Sequence, residues 1–224
     1  MADGKFIKLD ARLYEYVVAH GHNGDALLHD LAAETARTLG GISMMQIAPE
    51  QGTFMNLLAH AIGARYAIEV GTFTGYSAIC VARALPPDGR LLCCDVSEEW
   101  TAIARRYWEQ AGVAEKITLK IAPAIETLQA LPGLDAGGQP IDFAFIDADK
   151  TSYRRYYEEL LLRMRPGGLI LIDNVLWNGA VVDSKIQSAD TRAIRELNDF
   201  LVTDDRIDMV MLPVSDGLTI CRKR

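Results

Sequence analysis

Hydrophobic positions change their period once along this chain. Over the first sixty or so residues they recur at helical spacing. Leu13, Tyr16, Val17 and His20 fall on one face, and Leu27, Leu28, Leu31 and Leu39 continue the period. Gly21, Gly24, Gly40 and Gly41 punctuate this region. Pro49 suits the first position of a helix running through Phe54, Leu57, Leu58 and Ala61. From Tyr66 onward, short apolar runs alternate with amphipathic segments. The runs at 66–70, 90–94, 117–121, 141–146 and 169–172 predict strands, and the segments at 76–85, 97–111, 125–131, 151–164 and 191–201 predict helices. Ser97 is placed to cap its helix, with Glu98 and Glu99 in the first turn. Residues 134–140 read as a loop. Strands near 207–212 and 218–222, joined through Pro213-Val-Ser-Asp-Gly217, read as a closing hairpin.

Strand–helix alternation with near-continuous apolar strands predicts an α/β fold: a parallel sheet covered on both faces, with an antiparallel edge from the last strand pair. The length of 224 residues, without an internal repeat, suits one domain over 1–224, a helical segment 1–62 leading into an α/β core 63–224. Half of the residues are hydrophobic and 24% are charged, which fits a packed core and argues against disorder. The charge is 23 − 30 = −7, and an acidic field repels phosphate backbones, so nucleic acid and anionic membranes are poor main partners. Cys80, Cys93, Cys94 and Cys221 form no CxxC pair and read as small core residues in a reducing cytoplasm. The start, Met1-Ala-Asp-Gly-Lys-Phe6, lacks the apolar core of a signal peptide, and no run approaches the ~20 apolar residues of a membrane span. A soluble, cytoplasmic protein is therefore expected.

In such sheets ligands bind beyond the carboxyl ends of the strands. The first of these ends carries Glu69-Val-Gly-Thr-Phe-Thr-Gly-Tyr-Ser77. Its glycines permit a tight turn and close approach to a ligand, but they are four apart and do not form GxGxxG. Glu69 would repel a diphosphate and attract an ammonium, and Asp95 at the second strand end suits ribose hydroxyls. A ligand with a ribose, a positive amino group and no phosphate fits both, and S-adenosylmethionine is such a ligand. The plainer alternative for Asp95 and Ser97 is capping of the helix that follows. Later strand ends carry Asp147-Ala-Asp149-Lys150 and Asp173-Asn174. Asp147, Asp173 and Asn174 together make an all-oxygen set that suits magnesium, manganese or calcium rather than zinc. Asp149 reads better as an N-cap than as a ligand, and Asn174 could be a turn residue. A dication and a sulfonium near Lys150 would favour its neutral amine, as a general base or phenolate stabiliser; a solvated lysine is the alternative. Trp177 and Asn178 form either a plain turn before Gly179 or a wall on which an aromatic substrate stacks. A metal cluster of His20 and His22 with His29 or His60 has little in its favour.

These pieces together resemble the cation-dependent class I S-adenosylmethionine O-methyltransferases, the caffeoyl-CoA and catechol O-methyltransferase group. The matching segments are Pro49-Glu50-Gln51-Gly52, Glu69 to Ser77, Asp95, Ala122-Pro-Ala124, Phe145-Ile-Asp-Ala-Asp-Lys150, Arg165-Pro-Gly-Gly168 and Leu171-Ile-Asp-Asn-Val-Leu-Trp-Asn-Gly179, in order over roughly 42–222. The resemblance implies a Rossmann-like class I methyltransferase fold, a seven-stranded mostly parallel sheet with an antiparallel last strand, and a homodimer. It implies a cofactor pocket lined by Met45, Ile47, Glu69, Gly71, Thr72, Phe73, Ser77, Asp95, Val96, Ala124 and Asp147. It implies metal ligands Asp147, Asp173 and Asn174, with Lys150 and Asp147 catalytic. Ile47 stands where plant relatives often have threonine, so only packing or backbone contact is expected there. The segment 181–195 corresponds to the substrate-selecting insertion and carries no clear signature, which leaves a coenzyme A ester acceptor in doubt. The expected reaction is methylation of a catechol-like vicinal diol. Rival readings are an NAD-dependent dehydrogenase, which the missing glycine and Glu69 disfavour, and a non-catalytic S-adenosylmethionine-binding regulator. An amino-group or nucleic-acid methyltransferase lacks its Asn/Asp-Pro-Pro-aromatic motif here.

Overall fold

The computed structural model describes residues 7–224; the stretch 1–6, on which the signal-peptide reading rests, lies outside the described residues. The chain opens with α1 (Ala11–His20), α2 (Ala26–Leu39) and α3 (Pro49–Ala61). Asp10 and Asp25 cap the first two by accepting from Leu13 N and Leu28 N, which satisfies N–H groups that lack a helical partner. Strands and helices then alternate: β1 (Tyr66–Val70), α4 (Tyr76–Ala84), β2 (Arg90–Asp95), α5 (Glu98–Gln110), β3 (Ile117–Ile121), α6 (Ala124–Ala130), β4 (Ile141–Ile146), α7 (Tyr153–Arg163), β5 (Met164–Asp173), α8 (Ala189–Thr203), β6 (Ile207–Leu212) and β7 (Leu218–Lys223). Ser97 caps α5 as expected, accepting from Trp100 N at 3.1 Å.

The seven strands form one sheet in the order β3-β2-β1-β4-β5-β7-β6. The first five are parallel, and β7 runs antiparallel to both β5 and β6. Because β1, β2, β4 and β5 are buried on both faces, alternate residues feed two cores. Ala67, Cys93, Phe143, Phe145 and Leu171 pack with residues of α2 to α5 such as Leu31, Met55, Ile79 and Trp108. Ile68, Leu92, Ala144, Ile146 and Ile172 pack with Leu128, Tyr157, Leu160, Leu197 and Leu201 of α6 to α8. Burying a side chain such as Phe143, fully enclosed here, is worth roughly 1.5–3 kcal/mol.

Three local features differ from the sequence reading, each for a physical reason. β5 begins at Met164 rather than 169, through a break in register: Ile141 faces Met164 while Phe143 faces Leu169. That irregularity absorbs Pro166, which cannot donate to the ladder, and Gly167 at φ +77°. α8 starts two residues earlier than expected, because Ser188 accepts from Thr191 N at 3.2 Å. Asp149 does not act as the expected side-chain N-cap. Residues Lys150–Ser152 make a tight turn before α7, and the Asp149 carboxylate accepts from the Tyr156 and Thr151 hydroxyls instead. Among the described residues, no helix is long and apolar enough to cross a membrane.

The path across the sheet reverses between β1 and β4, so the segments following these two strands diverge and leave a crevice at their carboxyl ends. The site is built there.

Candidate active site

The loop after β1 is held by hydrogen bonds to its neighbours. Thr72 N and Phe73 N donate to Asp95 Oδ2 at 2.9 and 2.8 Å, and Ser97 N donates to Asp95 Oδ1 at 2.8 Å. Asp95 thus orders the loop and braces the start of α5 at once. Each of its oxygens still has capacity to accept from a hydroxyl. Phe73 sits at φ +50° and meets Trp100 edge-on at 5.3 Å. Glu69, at 1% exposure, lies in the same wall, with Oε2 lacking a hydrogen-bond partner. Burial pushes its carboxyl up to about 8, against nearby hydroxyls of Ser77 and Thr72 that pull it down. An orphaned buried carboxylate oxygen is an acceptor waiting for a cationic or hydrogen-bonding ligand.

Gly71 joins this loop to β4. It has φ +92°, and a Cβ there would meet the Asp147 carbonyl oxygen at 2.0 Å. Only glycine permits both the turn and this approach. Asp147 N in turn donates to Val70 O at 2.8 Å. Asp147 and Asp173 each follow a paired residue of adjacent parallel strands, Ile146 opposite Ile172. Asp173 is buried at 3% exposure, and Asn174 follows at φ +57°, its N–H donating to Asp173 Oδ1 at 2.7 Å. Desolvation and the neighbouring Asp147 charge push the Asp173 carboxyl up to about 7.

Lys150 reaches into this group from the turn before α7. Its Nζ donates to Asp147 Oδ1 at 3.0 Å and to Asn174 Oδ1 at 2.6 Å. It also donates to the Tyr153 hydroxyl, and it lies 5.5 Å from the centre of the Trp177 ring. The Lys150 Nζ atom therefore lies in the middle of the oxygen donors that the sequence suggested for a metal. Two close carboxylates, one of them buried, call for positive charge, and the donor set is all oxygen. The residues present fit a hard divalent cation.

Of the expected cofactor residues, Glu69, Gly71, Thr72, Phe73, Ser77, Asp95 and Asp147 cluster around this crevice. Ala124 opens α6, close by, since Ala122 N donates to Asp95 O at 3.0 Å. Val96 and Met45 are exposed, and Ile47 is buried in the core beside Gly52. Trp177 and Asn178 also adopt positive φ, so three of the five residues from Asn174 to Asn178 are strained, a pattern concentrated at functional sites. The four histidines do not gather, and the described residues hold no group of three or more His, Cys, Asp or Glu side chains fit for a metal; the oxygen set above uses an amide instead.

Two residues were not read from the sequence as part of the site, although Gln51 stood in a matching segment. Gln51, in the first turn of α3, is fully buried, its amide satisfied by no well-formed hydrogen bond, and it lies against the Asp173 carboxyl and draws its pKa down. Tyr153, also fully buried, has its hydroxyl raised well above the usual phenol range by burial and the carboxylates around it. The only signal for Tyr153 was its position one helical turn beyond Lys150.

A pH prediction follows from Glu69. The carboxyl ionises near 4.5 in the unfolded chain and near 8 in the folded one. Between those values the folded state holds the extra proton, so ligand-free stability falls as pH rises through that window. Glu69→Gln is expected to flatten the fall. Thermal midpoints from about pH 5 to about pH 9 check it, and parallel curves for the two proteins would refute it.

Comparison with known proteins shows the family. A family model described as O-methyltransferase matches residues 18–224. Caffeoyl-CoA O-methyltransferase 2 of Zea mays is 37% identical over 223 residues, covering 94% of this chain and 82% of its own. Catechol O-methyltransferase domain-containing protein 1 of Mus musculus is 36% identical over 214 residues, covering 96% and 80%. The O-methyltransferase TomG from Streptomyces achromogenes, involved in tomaymycin synthesis and solved in complex with SAM, superposes with a TM-score of 0.83 at 30% identity, over 93% of this chain and 94% of its own. Nothing in these matches supports a dehydrogenase or a non-catalytic regulator.

Proposed function

This chain belongs to the O-methyltransferase family, and on that premise we propose that it transfers a methyl group from S-adenosylmethionine to one hydroxyl of a vicinal-diol aromatic, with the help of a divalent cation, magnesium foremost. The observation that carries the reading is the Lys150 Nζ atom lodged between Asp147 Oδ1 and Asn174 Oδ1, beside the buried Asp173. The crevice supports it with an acceptor pair, Asp95 and Glu69, suited to ribose hydroxyls and a positive amino group.

When bound, S-adenosylmethionine supplies an electrophilic methyl group, and a divalent cation supplies Lewis acidity toward a hydroxyl. The residues do the rest. Asp95 orients the donor through its ribose while keeping the Gly71–Phe73 loop in place. Asp147, Asp173 and Asn174 would hold the cation. Lys150 Nζ, within reach of that ligand set, takes or shields the proton of the acceptor hydroxyl, and the Tyr153 hydroxyl, which accepts from Nζ, steadies it. Trp177 offers a half-buried ring beside Lys150 for an aromatic acceptor to stack on. Most of the acceleration comes from holding two reactants in orientation, worth up to ~7–11 kcal/mol in ideal cases.

Two vicinal oxygens are needed to chelate a cation, which sets the experiment. A panel of catechols and matching mono-phenols is incubated with methyl donor, with EDTA or with magnesium, and products are read by mass spectrometry. Catechols are expected to be methylated, EDTA to suppress the reaction and magnesium to restore it, with mono-phenols at least ~10²-fold slower. Turnover indifferent to EDTA would remove the cation from the reading. The four cysteines are buried and free, as suits a reducing cytoplasm. The apolar face of α1, where Leu13, Tyr16 and Val17 stay exposed, suits the homodimer.

A further inference from the structure

The segment from β5 to α8 is held chiefly from α8, where Arg192 Nη1 donates to Gln187 O and Arg195 reaches the carbonyls before it. After the strained turn Trp177–Val182, residues 183–188 belong to no helix or strand and are exposed. They contribute nothing to either core, so little beyond local turns fixes their path. Arg195 of α8 supplies the constraint over 180–186. Its Nη2 donates to Ala180 O and Asp183 O, both at 2.6 Å, its Nε to Val181 O at 2.9 Å and its Nη1 to Ile186 O at 3.0 Å. Among the described residues, Arg195 forms no ion pair with a carboxylate; all three of its nitrogens are spent on backbone. One turn further along α8, Asn198 Nδ2 donates to Val175 O at 2.9 Å. The helix that carries both is itself anchored, through the buried Ile194, Leu197 and Leu201.

The clamped carbonyls begin three residues from Trp177, at the other end of the same turn. Trp177 and Asn178 hold φ +48° and +50°, conformations that persist only when their surroundings impose them. The near end of that turn is bound from the β6–β7 connection, where Leu176 N donates to Asp216 O at 3.0 Å and Asn178 N to Asp216 Oδ1 at 2.6 Å; fixing the carbonyls of 180–186 fixes its far end. We propose that Arg195 is a positioning and specificity-determining residue that preforms the acceptor wall, by clamping the 180–186 carbonyls so that Trp177 stands beside Lys150. The ligand class is a planar aromatic diol, and the inference rests on the reading of Trp177 as part of the acceptor site. Arginine is required because a planar fork of donors reaches four carbonyls at once; the compact ammonium of lysine cannot.

Arg195→Lys and Arg195→Met test the clamp. Hydrogen exchange over 180–188, S-adenosylmethionine affinity by calorimetry, and steady-state kinetics with protocatechuic acid, an unsymmetrical catechol, are read for each. Faster exchange confined to 180–188 is expected in both variants, with cofactor affinity unchanged. The acceptor KM should rise by about 10-fold and the ratio of the two monomethyl products should shift by about 3-fold, while kcat falls less than KM rises. A merely structural role would leave the product ratio untouched. Unchanged exchange overturns the clamp. Faster exchange with an unchanged KM and product ratio overturns its link to the acceptor. A wild-type enzyme that methylates no catechol overturns the acceptor reading beneath it, while the exchange measurement still decides the clamp.

Discussion

Asp173→Asn is expected to lower cation-dependent methylation by at least ~10³-fold while leaving S-adenosylmethionine affinity within a few fold. The change removes a buried charge and keeps the shape of the side chain. In the ligand-free protein that charge is unfavourable, since burial and Asp147 already push the carboxyl up to about 7. Thermal stability above neutral pH should therefore hold or rise in the variant as activity disappears, the opposite signs expected where a site is kept strained for function. Kinetics, calorimetry with the methyl donor and melting curves at about pH 8 together check it. Lost cofactor binding with intact manganese binding would reverse the assignment.

Lys150→Met should lower kcat by about 10²–10⁴-fold, the range for a positioned proton acceptor. Its KM for the acceptor should move little. A phenol ionises unaided near pH 10, so the deficit of the variant should shrink as pH approaches that value. A pH–rate profile distinguishes this from simple damage to the site: a loss that is the same at every pH would show that Lys150 braces Asp147 and Asn174 without handling a proton. Loss below about 3-fold would remove it from the chemistry altogether.

Much of this arrangement could be read from the chain because its signals are local. Apolar runs of four to six residues marked the parallel strands, glycines marked the turn after β1, and Asp95, Asp147 and Asp173 stood where strands end. The rule that ligands bind at those ends then brought them together. Other features depend on partners distant in sequence. The irregularity at Pro166 and Gly167 appears only when β4 is laid against β5, so the early start of β5 was hidden. Asp149 looked like a cap until Tyr156, two helical turns away, claimed its carboxylate. Gln51 lies more than a hundred residues from Asp173, and Arg195 meets carbonyls that carry no side-chain signature at all. A sequence lists donors and acceptors, but backbone carbonyls look alike until the fold selects among them.

The contact between Gly71 and the Asp147 backbone has a thermodynamic consequence. The loop proposed to face the methyl donor and the strand end proposed to hold the cation touch without a side chain between them. On that proposal, a ligand that settles one would preorganise the seat of the other, and the two binding equilibria would carry one shared interaction free energy, each ligand tightening the other by the same factor.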